Sequence, residues 1–262
     1  MGSYGRSCAE LYDFFYRDKP YVKEANFIHS SLQKFKAGKM GSLLELGCGT
    51  ATHTLELEKK GYKIAALDYS KPMLSIAQNK AAKAGSKIKF IRQDMRSLRL
   101  LKGSFDAVIS LFDSIGYVVT NEALFQTLKG IHEVLRPGGL VILEFWHAPA
   151  MIKNYEPVRL RCMRIPDGWL LRVSETEPDY LKQVCNVNYT VYALDRDKKC
   201  STFREQHQNR YFFVQEMAAY LVLNGFSPLK FFPGFNNSGP INENVWHIIV
   251  VARRVHKASS KR

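Results

Sequence analysis

Apolar positions recur along the chain with two periods, and the change from one to the other divides it into elements. Residues 8–37 carry Leu11, Phe14, Phe15, Tyr21, Phe27, Ile28, Leu32 and Phe35 at helical spacing. Pro20 breaks that run, because proline removes a backbone donor and its ring clashes with the preceding turn. The stretch 42–52 reads as a short apolar strand, an acidic residue and a glycine turn, then a helix follows at 52–60 with Gly61 as its stop. A buried strand at 63–68 leads into a helix that Ser70 caps and that tolerates Pro72 in its first turn. Third and fourth strands are predicted at 88–92 and 105–112. Thr120 opens a helix running to Leu135 and closed by Arg136-Pro137-Gly138-Gly139, and residues 140–145 form a fifth strand. Strands alternating with helices in this way predict an α/β fold, a doubly wound parallel sheet whose ligands bind at the carboxyl ends of the strands.

Beyond about residue 151 the period falls to two. Segments 170–177, 183–194 and 202–213 alternate polar with apolar, as half-exposed antiparallel strands do, with a hairpin turn at Asp195-Arg196-Asp197-Lys198. A helix at 214–224, stopped by Gly225, and a strand pair at 227–232 and 245–253 complete the chain. The expected organisation is an N-terminal helical lid (1–40), a nucleotide-binding core (41–150 and 214–255) and an inserted antiparallel sheet (151–213) over the substrate opening.

Composition narrows the class. With 262 residues, 46% of them hydrophobic and 12% aromatic, the chain has ample material for a buried core. No apolar run approaches the length that spans a bilayer, and no signal-peptide segment opens the sequence, so no membrane partner and a cytoplasmic location are expected. Met1-Gly2-Ser3 has the look of an expression scar. The five cysteines, Cys8, Cys48, Cys162, Cys185 and Cys200, are odd in number, far apart and free of any C-x-x-C pair, which points away from a metal site and a disulfide framework. The net charge of +14 favours anionic partners and keeps RNA in view, but the basic residues are spread along the chain and cluster only at its last ten positions.

The chemistry concentrates on residues 42–52, SLLELGCGTAT. Gly47 and Gly49 let the backbone turn sharply and let a ligand lie directly on it, and the helix that follows presents unpaired N–H groups to the same spot. A dinucleotide fingerprint wants a third glycine at 52, where Thr52 stands, and an apolar residue at 45, where Glu45 stands. An acid there suits a cationic ligand better than a pyrophosphate. Asp68, 21 positions after Gly47, ends its strand where a carboxylate accepts hydrogen bonds from both ribose hydroxyls of an adenosine. Met73 packs either on an adenine ring or in the core.

Glu45, the two glycines and the placement of Asp68 resemble motif I and its partner acid in the class I S-adenosylmethionine (SAM) methyltransferases, with Ala51 in place of the motif's last glycine. That resemblance implies a Rossmann-like seven-stranded sheet ending in an antiparallel pair, and SAM as cofactor with S-adenosylhomocysteine as product. Asp94 and Met95, after the third strand, are similar to the family's adenine clamp. Tyr69 and Phe112 fall among the implied cofactor contacts, and Tyr12 on the lid is implied to cover cofactor and substrate, with Tyr16 beside it. Finer likeness, carried by ELYDFFY near the start, SLFDSIGYV after the fourth strand and LEFWHAP after the fifth, is to small-molecule N-methyltransferases acting on amino sugars or glycine. A histidine commonly follows the S-I-G triplet in the sugar enzymes, and Tyr117 stands there in this chain. Tyr117 either orients the acceptor amine or packs, and Asp113, Trp146 and His147 are expected to line the acceptor pocket. Methyl transfer to a small-molecule amine, without a strong general base, is the leading expectation. An RNA methyltransferase and a non-catalytic SAM-binding protein are the alternatives, and a homodimer is left open.

Overall fold

The computed structural model describes residues 5–255 apart from Leu101, Asp167 and Lys198, so the first three residues, the end of the basic tail and one position of the 195–198 turn lie outside the described residues. The chain opens with α1 (Arg6–Phe15) and α2 (Tyr21–Phe35), separated at Pro20. The alternating region then runs β1 (Ser42–Leu46), α3 (Thr52–Glu58), β2 (Lys63–Asp68), α4 (Lys71–Lys83), β3 (Lys89–Arg92), β4 (Phe105–Ser110), α5 (Asn121–Val134) and β5 (Leu135–His147). Ser70 and Thr120 cap α4 and α5, each accepting from the backbone N–H three residues on. After α6 (Ala148–Asn154) come β6 (Val158–Ile165), β7 (Gly168–Asp179), β8 (Val184–Asp195) and β9 (Cys200–Phe212). The chain finishes with α7 (Val214–Leu223), β10 (Phe226–Pro233) and β11 (His247–Arg254).

Strands β3, β2, β1, β4 and β5 lie side by side in that order and run parallel. β11 joins β5 antiparallel, and β10 pairs with β11. Both faces of this sheet are covered, so its strands read as unbroken apolar runs. Successive residues point to opposite sides. Leu44, Leu46, Val108, Val141, Leu143, Phe145, Ile248 and Val250 face α5 and α7, packing with Leu124, Leu128, Ile131 and Leu221. Leu43, Ala107, Ile109, Leu140, Ile142, Ile249 and Val251 face the other way, against Ile28 and Leu32 of α2, Leu57 of α3 and Leu74 of α4. Most of these side chains are fully buried.

The sequence predicted a seven-stranded sheet with a separate insertion, and the structure has one mixed sheet of eleven strands. The join is local: Trp146 and His147 at the end of β5 pair in parallel with Tyr211 and Phe212 at the end of β9, and β9, β8, β7 and β6 follow antiparallel. A two-residue pairing between segments 65 positions apart leaves no trace in local periodicity. β6, an exposed edge strand, and α6 were not foreseen either. Nor do residues 136–139 form a closing loop. They enter β5 as an irregularity, where Gly138 takes a positive φ of 74° and a Cβ on Gly139 would stand 3.0 Å from the Asp106 carbonyl oxygen.

α1 packs Cys8 and Phe15 against Leu170 and Val191 on the inner face of the β6–β9 region. Its Asp13 reaches across to the core, accepting a hydrogen bond from Thr50 at 2.7 Å and pairing with Lys80 at 3.0 Å. The helix therefore bridges the two halves of the sheet, above the carboxyl ends of β1, β2 and β4.

Candidate active site

A cavity opens at those carboxyl ends, bounded by α1, the turns after β1, β2, β3 and β4, and the inner faces of β8 and β9. Its floor is the β1–α3 turn. Gly47 and Gly49 both take positive φ, 69° and 54°, and their neighbour Ala51 does so at 62°. The Gly47 Cα is pressed against the turn after β4: a Cβ there would fall 2.7 Å from the Cβ and Oγ of Ser114, whose hydroxyl donates to the Gly47 carbonyl at 3.0 Å. At Gly49 a Cβ would meet nothing within 4 Å, so that face of the backbone is open toward the cavity. Gly47→Ala is expected to destabilise the protein by about 2 kcal/mol in urea unfolding, from the left-handed conformation and the Ser114 clash together. An alanine variant as stable as the parent would contradict that packing.

Asp68 sits at the tip of β2 with each carboxylate oxygen pinned by a backbone N–H, Gly49 to one and Ser70 to the other, both at 2.8 Å. Burial pushes its carboxyl above the ordinary range, and the backbone donors pull it partly back. Each oxygen keeps a second lone-pair direction for a ligand. Met73, buried beneath, and the half-exposed ring of Tyr69 flank it. Past β3, Asp94 caps a 3-10 turn through the Arg96 N–H and is clasped by the Arg96 guanidinium, whose hydrogen bonds outweigh burial and hold its carboxyl below its usual value. Met95 closes the wall beside it. Glu45 is buried behind the glycine turn, where desolvation raises its carboxyl and Thr54 donates to it at 2.6 Å.

The turn after β4 is the strained part of the site. Phe112 and Asp113 both adopt left-handed backbone, φ 52° and 58°, which L-residues of this size seldom do and which costs about 1–3 kcal/mol per residue. Two carboxylates hold it there. The Phe112 N–H donates to Glu144 of β5, while Asp113 accepts from the Trp146 N–H at 3.0 Å and from Asn209 at 2.6 Å. Glu144 is buried, and its ion pair with His247, 2.9 Å away, carries its carboxyl below the usual range in spite of that burial. Asp113 has no cation in contact among the described residues, and burial pushes its carboxyl up to about 8.

Fourteen of the fifteen residues singled out from the sequence line this one cavity: Tyr12 and Tyr16 from α1, Glu45, Gly47, Gly49, Asp68, Tyr69, Met73, Asp94 and Met95 from the core, and Phe112, Asp113, Tyr117 and Trp146 toward β9. His147 does not. Successive strand residues face opposite ways, so with Trp146 turned inward His147 points out, its Nδ1 3.0 Å from the Val245 carbonyl oxygen. Sequence reasoning missed Tyr21, His53, Tyr189 and Asn209. The period-two pattern of 202–213 carried a signal for the last of these, because it puts Glu205, His207 and Asn209 on one face.

The lining is rich in acidic side chains, although the protein as a whole is basic. Among the described residues it contains Glu45, Asp68, Asp94 and Asp113 but no lysine or arginine, in a chain of net charge +14. Six of its aromatics, Tyr12, Tyr16, Tyr21, Phe112, Tyr117 and Tyr189, present ring faces or phenols, and Tyr16 meets Phe112 edge to face at 4.9 Å. Carboxylates and aromatic faces together attract cations. The donor set therefore fits SAM: an acid for ribose hydroxyls at Asp68, open glycine backbone at Gly49, and an acidic, aromatic environment for a sulfonium.

Comparison with known proteins agrees. The family described as Methyltransferase domain matches residues 43–139. YqeM of Bacillus subtilis (strain 168), which carries a provisional methyltransferase name, is 29% identical over 235 residues, 88% of this chain and 90% of YqeM. The dTDP-3-amino-3,6-dideoxy-alpha-D-glucopyranose N,N-dimethyltransferase of Streptomyces fradiae is 28% identical over 238 residues, 89% of each chain. A crystal structure of an S-adenosylmethionine-dependent methyltransferase from Clostridium acetobutylicum ATCC 824 shares the fold with a TM-score of 0.82 at 21% identity, over 95% of this chain and 98% of that one.

Proposed function

We propose that this chain, which is a class I SAM-dependent methyltransferase, moves a methyl group onto the amine of a small-molecule acceptor, with a nucleotide-linked amino sugar as the acceptor class. One observation carries the amine reading: a cavity lined by four acidic side chains and, among the described residues, no lysine or arginine, on an otherwise basic protein. The reacting base or hydroxyl of an RNA is uncharged and gains nothing from an acidic lining. An amine arrives as, or leaves as, a cation, and this lining favours it in both forms. The full-length likeness to a sugar N,N-dimethyltransferase supports the same choice.

In this reading Asp68 holds the ribose hydroxyls, Asp94 and the Met95 N–H hold the adenine, and Glu45 and the glycine turn hold the cationic end of the cofactor. When bound, SAM supplies an activated methyl donor that needs an aligned lone pair more than a strong base. The chain's own residues supply the alignment. Tyr16, Tyr117, Trp146 and Asn209, all lining the cavity, take the acceptor end. Residues 1–40 act as a lid held down by Asp13, and β6–β9 cover the acceptor. Tyr12, half-buried and kept protonated by desolvation, excludes water between the two ligands.

The reading is tested by incubating the purified protein with SAM and either a dTDP-linked 3-amino sugar or glycine, and separating products by mass. Mono- and dimethylated amino sugar is the expected result. Methylation of glycine alone would keep the amine and overturn the sugar, and no methylated amine of either kind would overturn the proposal.

A further inference from the structure

Behind Tyr117, and outside the cavity lining, the structure places two further polar side chains in line. The Tyr117 hydroxyl is 3.1 Å from Nδ1 of His207, and Nε2 of His207 is 3.2 Å from a carboxylate oxygen of Glu205. His207 is 2% exposed and lies behind the cavity wall that Tyr117 helps to form. Both β9 residues face the same way, and each comes from a register position that the β8–β9 ladder fixes, His207 opposite Val187 and Glu205 opposite Tyr189. The groups around the imidazole come from every neighbouring element. Tyr117 lies on the turn after β4, the Tyr189 ring on β8 is 5.3 Å away, and on the α1 side the Gly5 N–H donates to Glu205 at 2.7 Å and the Cys8 thiol hydrogen-bonds to it. Burial, with Glu205 facing it, pushes that thiol well above its ordinary range, so it stays a neutral donor; the charge of Arg172 on β7 opposes that shift.

From this geometry we infer that His207 is the proton-accepting positioning residue of the methyl transfer, acting through Tyr117, with Glu205 fixing its tautomer; this rests on the amine reading above. The balance is simple. The acceptor ammonium gives a proton to the Tyr117 oxygen as the Tyr117 O–H proton passes to Nδ1 of His207. The acceptor becomes a neutral amine with a free lone pair, the phenol is unchanged, and the imidazolium formed is paired with Glu205. Carboxylate, imidazole and a group between them and the substrate are the parts such proton relays need. The freed lone pair would then form the N–C bond to the methyl carbon of bound SAM as the C–S bond breaks, its electron pair remaining on the departing thioether sulfur. Because Glu205 also receives Gly5 and Cys8, the relay is complete only with α1 seated.

The first arm of the test needs no acceptor. In protein with 15N-labelled histidine, the His207 ring at pH 8 is expected as the tautomer with Nε2 protonated and Nδ1 bare, and Glu205→Gln should lose that preference. A ring with Nδ1 protonated, donating to Tyr117, would overturn the relay, because Nδ1 then has no place for a proton. The second arm uses the dTDP-linked amino sugar. His207→Gln is expected to lower kcat about 10-fold or more and to leave the titrated SAM affinity unchanged. Unchanged kcat in His207→Gln would overturn the proposal. A parent with no turnover on any amine would sink the amine reading instead, while the tautomer arm still decides the relay.

Discussion

Asp68→Ala is expected to weaken SAM binding about 100-fold or more by isothermal titration. The carboxylate is already oriented before any ligand arrives, with the Gly49 and Ser70 N–H groups each holding one oxygen at 2.8 Å. Hydrogen bonds to a charged group contribute about 1.5–3 kcal/mol apiece, and two ribose hydroxyls would draw on the same carboxylate. Alanine removes both, and it also leaves the Gly49 and Ser70 donors facing the cavity. Asp68→Asn keeps one acceptor oxygen and should fall between, at about 10-fold. Because water reaches this cavity mouth, thermal unfolding of either variant should move by only a few degrees. An alanine variant that titrates like the parent would mean the nucleoside lies elsewhere.

The second large effect is a pH dependence. Asp113 is buried, contacts no cation among the described residues, and has its carboxyl pushed up to about 8 in the fold from an ordinary value of 3.8. A carboxyl whose pKa is raised by folding binds its proton more tightly in the native state. Its contribution to stability is therefore fully present below about pH 4 and is lost as pH rises toward 8. Asp113→Asn removes the titration and keeps the shape, since an amide can still accept from Trp146 and a flipped Asn209 can still bond to it. Relative to the parent, the variant should gain on the order of 3–5 kcal/mol between pH 4 and pH 9, because each tenfold change in proton affinity is worth about 1.36 kcal/mol. Urea unfolding at the two pH values measures it. An equal difference between variant and parent at both would show that the carboxyl is ionised throughout.

These two residues also mark where the sequence was and was not informative. Asp68 was legible because its signal is local: a strand of known length, a glycine turn and an acid at the strand's end all lie within 27 consecutive positions, 42–68. The same holds for Glu45, Asp94 and the caps at Ser70 and Thr120. Asp113 was legible as a pocket residue, but its chemistry was not, because that depends on Asn209, 96 positions away, and on Glu144 having taken His247 for itself. Tyr117 was likewise found without its partner. Its histidine comes from β9, carried there by the two-residue pairing of β5 with β9 and by the register of a long antiparallel ladder. His147 went astray for a complementary reason: sequence adjacency to Trp146 suggested the pocket, and strand alternation sends neighbours to opposite sides.

The net charge of +14 was the feature most open to misreading. Taken over the whole surface it favours anions, yet the cavity lining holds four acidic side chains and, among the described residues, no lysine or arginine. In the proposed reading substrate choice is set where the reacting atoms sit, and there the acidic side chains and the aromatic wall favour a cation.

The most direct test of this account is to mix the protein and methyl-labelled SAM with a cell extract and to separate metabolites, RNA and protein afterwards. Label in amines of the metabolite pool, absent when the Asp68→Ala variant is used, is the predicted result. Label in RNA, with none in the metabolites, would contradict it, and would mean that the basic exterior rather than the acidic cavity chooses the acceptor.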